Sequence, residues 1–120
     1  MRKSVFVGLV IFGLILVGCE GKPPPAGLKA PTDASNKEAA KQNDEGVSHL
    51  AQRHFDTAEG FFKKAVNADP NLAEAHFNLA LSLHLQSKHT DATPHFKKAK
   101  SLAPDNSKIT GNQLLIQHLR

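Results

Sequence analysis

Three features of this 120-residue chain predict an all-α fold, a short α-solenoid of two helix pairs plus a C-terminal capping helix. Residues recur at a fixed offset of 34: Ala58 with Ala92, Phe62 with Phe96, Lys63-Lys64 with Lys97-Lys98, Ala65 with Ala99, and Pro70 with Pro104. Between them, apolar side chains fall at the spacing that turns one face of a helix toward a core. Prolines stand where each second helix must stop, and helix-starting residues stand where the first must begin.

The elements follow in order. Ser35-Asn36-Lys37-Glu38 reads as a capping box, Ser35 accepting from the backbone and Glu38 reaching back, and opens a first helix over about 36–52. A second helix, about 55–68, ends at Asp69-Pro70-Asn71, and a third spans about 72–86. The fourth ends near Leu102, ahead of Pro104. A proline inside that helix would cost about 3 kcal/mol or more. A late start, with Thr90 or Asp91 as N-cap, puts Pro94 in the first turn, so a shortened fourth helix is expected. Asp105 or Asn106 caps a final helix over about 107–119, with Gly111 as its weak point. Leu114, Leu115 and Leu119 form its buried stripe, together with Ile109 or His118. Lys63, Lys64, Lys97, Lys98 and Lys100 stand near the ends of the second and fourth helices, where cations suit the helix dipole.

The chain before the repeats has a different character. Arg2 and Lys3 precede an uncharged apolar run, Val5 to Val17, which is short for a membrane-spanning helix of about 20 residues. Pro23, Pro24, Pro25 and Pro31 mark an extended polyproline-like stretch, which from Cys19 to Ser35 reaches roughly 50 Å at about 3.1 Å per residue. The expected organisation is therefore 1–18 signal peptide, 19–34 tether and 35–120 folded domain, with repeats at about 39–72 and 73–106. Cys19 is the only cysteine, so no intramolecular disulfide can staple the domain.

Composition excludes several functions. The formal charge of +4 falls to about +2 without Arg2 and Lys3, too little to argue for nucleic acid. No catalytic constellation stands out: Ser48 and Ser82 have histidines near them only in sequence, and Asp44-Glu45 are neighbours on different helix faces. The sequence has no Gly-rich phosphate loop, and neither an enzyme nor a cofactor is expected. The seven histidines, His49, His54, His76, His84, His89, His95 and His118, are scattered without a ligand motif, so no metal site is expected. His49, His76 and His89 are expected to pack between helices as neutral rings, and acid should then destabilise the fold. His84 and Asn78 lie on the other face.

Two resemblances add to this reading. Leu16-Val17-Gly18-Cys19 resembles the lipobox of bacterial lipoproteins, which implies lipidation of the Cys19 thiol, cleavage after Gly18 and a place in the cell envelope facing the periplasm or the exterior. Glu20 in place of Asp favours the outer over the inner membrane under the sorting rule of such proteins. Residues 39–106 resemble two tetratricopeptide repeats: Gly46 and Ala80 at the eighth position, Ala58 and Ala92 at the twentieth, Pro70 and Pro104 at the thirty-second, and the string AEAHFNLA at 73–80. That resemblance implies a protein-binding groove lined by Asn43, Val47, Leu50, Ala51, Phe77, Asn78, Leu81, His84 and Leu85. The carboxylate clamp of chaperone-binding members is missing, since its positions read Asn43, Val47 and Asn78. An apolar or helical ligand is expected there. The same residues also fit ordinary core beneath the final helix, because two repeats are fewer than the three a solenoid usually needs. The leading expectation is a membrane-tethered adaptor that binds an envelope protein or peptide, with a second copy of the chain as another partner. The alternatives are a pilotin-like assembly factor for an outer-membrane secretin and a histidine-based metal or pH sensor.

Overall fold

The computed structural model describes residue 23 and residues 25–120, which form six helices and no strand. The apolar run and Cys19, with the signal peptide and lipidation expected of them, lie outside the described residues. The helices are α1 (Lys37–Ala51), α2 (Phe55–Ala68), α3 (Ala73–Leu85), α4 (His89–Leu102), α5 (Ser107–Thr110) and α6 (Gln113–His118). None is long and apolar enough to cross a membrane.

The 34-residue period of the sequence reappears in the backbone. Arg53 and Ser87, one period apart, both take the left-handed conformation, with φ of 65° and 63°. The bonds around them match: His54 N–H donates to His49 C=O as Lys88 N–H does to Leu83 C=O, and Arg53 to Leu50 as Ser87 to His84. Each bond closes the tight turn inside one helix pair. Neither turn uses glycine, so each carries the modest cost of a side chain at positive φ.

Small residues set the spacing between helices. A Cβ on Gly46 would stand 2.5 Å from Cε1 of Phe62, so α1 and α2 meet there without a side chain between them. Ala58, Phe62 and Ala65 of α2, and Ala92, Phe96 and Ala99 of α4, are fully buried. Phe77 meets Phe96 edge-on at 5.7 Å between ring centroids. The α3 helix is the central one, with every residue from Ala75 to Leu83 buried. Glu59 ties the two pairs together, accepting from Lys63, from Lys88 at 3.0 Å and from Gln86 at 2.8 Å. Burial alone would raise the Glu59 carboxyl; those three donors outweigh it and hold its pKa at about 2.

Three expectations are corrected. The α1 cap is Asn36, whose side chain accepts from Ala39 N–H; Ser35 is not the cap, and Glu38 accepts from Gln42 instead of reaching back. The α4 helix begins at His89 rather than after Thr90 or Asp91, so Pro94 lies inside it. The acceptor deprived of a partner by that proline is the carbonyl of Thr90, on an exposed residue where water can replace the bond. The final helix is two short ones. Gly111 ends α5, where an added Cβ would meet the Ser107 carbonyl at 2.7 Å. Asn112 then leaves the helical path and recaps α6, its side chain accepting from Leu114 N–H and Leu115 N–H. Ile109 and Leu115 are buried, while Leu114 and Leu119 are half-buried against the same core.

Candidate functional site

The face predicted as a partner groove is filled in part by the chain's own segment ahead of α1. Asn78 on α3 holds both backbone groups of Leu28: its Oδ1 accepts from Leu28 N–H at 2.7 Å, and its Nδ2 donates to Leu28 C=O at 2.6 Å. Asn43 on α1 donates to the same carbonyl at 2.9 Å and accepts from Asn78 Nδ2 at 2.8 Å. Two residues along, Ala30 N–H donates to Asp44 Oδ1 at 2.9 Å. Successive bonds at alternate residues mark an extended strand-like segment, read through its backbone. Gly27 makes the closest approach; a Cβ there would lie 3.0 Å from Leu50, 3.1 Å from Val47 and 3.3 Å from the Asn78 oxygen. Leu28 packs on the core.

The expected spacer from Cys19 to Ser35 is thus corrected from Gly27 onward, because buried amides that would otherwise lack partners draw that segment in. The predicted groove residues divide. Asn43 and Asn78 are fully buried under the segment, with Leu50 and half-buried Val47 packed beside it. Ala51 is exposed and lines a cleft with Pro23 and Ala26. Phe77 and Leu81 are fully buried core and offer no free surface. His84 and Leu85 are half-buried at the far end of α3. No local pattern around Asn43 and Asn78 shows that the segment ahead of α1 folds back onto them.

The histidines also divide. His76 is buried and stacked on His95, with Nδ1 atoms 3.2 Å apart. Its Nε2 lies 2.9 Å from the Pro70 carbonyl and must donate there, which leaves Nδ1 as a lone pair accepting from His95. His49 stacks on Phe61, as an inter-helix ring should. His89 does not pack between helices; it is exposed at the start of α4. It stands instead with His84 and His118, and one nitrogen from each ring falls within 4.8 Å of the others. Sequence reading missed this trio, although His118 follows His84 by one repeat length.

Burial is the main cause that pushes His76, His95, His84 and His118 below the ordinary imidazole value. For His76, Lys98 adds to the effect while the Pro70 carbonyl and Asp69 oppose it; for His95, His76 and Lys63 add and Asp91 opposes. A base held neutral in the fold takes up fewer protons than in the unfolded chain, so its stabilisation is whole above the unfolded pKa of about 6.5 and is lost as pH falls below it. The thermal midpoint should therefore be lower at pH 5.5 than at pH 7.5, and His76→Gln should shrink that difference. Equal midpoints would show that these rings are not held neutral.

Helix pairs joined by a turn that recurs at one repeat length, with an extended segment of the same chain seated on α1 and α3, define a helical-repeat fold. In agreement, residues 61–93, from the middle of α2 into α4, match the family model of the tetratricopeptide repeat. Such repeats are typically interaction modules rather than enzymes. No curated protein and no solved structure matches the chain.

Proposed function

We propose that the chain is a membrane-tethered adaptor of the bacterial cell envelope whose groove binds an extended segment of a partner protein, with its own residues 27–30 as the resident occupant. The observation that carries the groove reading is the Asn78 amide bonded to both N–H and C=O of one residue, Leu28. The amide contact reads backbone, so an extended segment with a small residue at the place of Gly27 and an apolar one at the place of Leu28 satisfies it. Of the apolar or helical ligand expected from the sequence, this contact favours an apolar segment in extended form. The tethering half of the proposal rests on Arg2, Lys3, the apolar run and the Gly18-Cys19 junction. With Gly27 docked, eight residues follow Cys19 to the groove, a reach of roughly 25 Å from a lipid anchor. Glu20 favours the outer membrane.

The two halves separate experimentally. Gly27→Val should eject the segment and raise the capture of envelope partners from detergent extracts, measured by quantitative mass spectrometry. Asn78→Ala should abolish that capture while circular dichroism shows the helices intact. Equal capture by wild type, Gly27→Val and Asn78→Ala removes the groove as the binding site. Radiolabelled palmitate should enter the wild type and not Cys19→Ser; a wild type without label ends the lipoprotein reading and leaves the groove untouched.

A further inference from the structure

We infer that His84, His89 and His118 form a binding site for a divalent transition metal ion of the zinc class, placed to clamp the C-terminal helices onto the last repeat. His84 lies in the last turn of α3, His89 opens α4 and His118 closes α6, so the three come from three elements. The turn after α3, closed by Ser87 N–H to His84 C=O and Lys88 N–H to Leu83 C=O, fixes the first two relative to each other. Their rings stand 4.8 Å apart at 61°, and the His118 ring stands 5.1 Å from His84 and 5.8 Å from His89. Phe96 supports the His118 ring from the core side at 4.9 Å.

The hydrogen bonds assign which nitrogen of His118 is free. Thr93 Oγ1 lies 3.1 Å from the His89 carbonyl, which can only accept, so the hydroxyl proton goes there. Thr93 Oγ1 must then accept from His118 Nδ1, 2.9 Å away. The Nε2 of His118 is left as a lone pair aimed at His84, whose Nδ1 is 2.9 Å distant. Two imidazoles on one tetrahedral zinc ion, each with a Zn–N bond of about 2.0–2.1 Å, place their nitrogens about 3.3 Å apart. A few tenths of an ångström of ring movement, with the His84 proton moved from Nδ1 to Nε2, opens this pair to an ion, with the exposed His89 closing from the third side. Thr93 is the partner that orients a ligating histidine, the role that the outer shell of a metal site fills. Three neutral imidazoles without a carboxylate suit Zn²⁺, Cu²⁺ or Ni²⁺ better than Ca²⁺ or Mg²⁺ and leave the fourth position for water or a donor from a partner. The position explains its use: α5 and α6 have four and six residues, too short to hold themselves, and His118 is the last residue of α6.

Titration calorimetry of the full chain in detergent with Zn²⁺ tests the site. One equivalent should bind saturably, and the thermal midpoint should rise with Zn²⁺ and not with Mg²⁺. His89→Ala, at an exposed position that leaves the fold alone, should weaken binding at least tenfold. Thr93→Val, a positioning change, should weaken it about tenfold with unchanged helicity. The inference is overturned if the wild type shows no saturable binding at one equivalent, or if His89→Ala binds as tightly as the wild type. It is equally overturned if His95→Gln, which alters the separate His76–His95 pair, abolishes binding while His89→Ala does not.

Discussion

Replacing Ile109 and Leu115 together with alanine should unfold or oligomerise the domain at 25 °C. Both side chains are buried, at 0% and 1% exposure, within the cluster that includes Phe77, Leu81 and Phe96. Each truncation costs about 2–5 kcal/mol, and a domain of this size has only about 5 kcal/mol in total. Through Ile109 and Leu115, α5 and α6 cover the apolar side of the second repeat. Deleting residues 107–120 should act in the same direction and expose that cluster to a second copy of the chain. Circular dichroism melts and light scattering decide between the outcomes. A truncated chain that stays monomeric, helical and cooperative would make residues 107–120 a docking segment instead of a cap.

Phe62→Ala should cost about 3–5 kcal/mol, seen as a fall in urea midpoint without a change in slope. Phe62 is fully buried between the helices of the first pair, and its ring is the surface against which Gly46 packs. Gly46→Ala tests the same contact from the other side. Alanine gains about 1 kcal/mol in helix propensity over glycine. Its methyl, 2.5 Å from the ring, forces overpacking worth about 1–3 kcal/mol, so the net change should be destabilising. Combining Gly46→Ala with Phe62→Leu should recover part of the loss, because the smaller side chain vacates the space the methyl needs. Additive effects in that double-mutant cycle would show that the two residues do not meet.

The helix pairs were legible because their causes are local or periodic. Ala58, Phe62, Ala65 and Pro70 repeat as Ala92, Phe96, Ala99 and Pro104, and each repeat meets the same steric demand, so the crossings and stops could be read one residue at a time. The start of α4 was less legible. Pro94 costs less here than inside a buried helix, because the Thr90 carbonyl it leaves unbonded belongs to an exposed residue. The break at Gly111 was visible as a weak point, but that Asn112 would recap a new helix depends on Leu115 reaching the core.

Fold class, two-repeat frame, small residues at the crossings and amides at positions 43 and 78 can all be read along the chain. The fold class, the frame and the small residues follow from local helix signals or from a 34-residue period that reports them twice; the amides, 35 residues apart, stand outside that period. What those amides hold emerges in the folded chain alone, because the bond from Leu28 to Asn78 spans 50 residues and no local pattern encodes it. The fold also decides which histidines act together. His84 and His118 stand one repeat length apart, but they meet only because the broken cap folds α6 back onto α4, and the Thr93 hydroxyl there sets the lone pair that makes the meeting chemically useful.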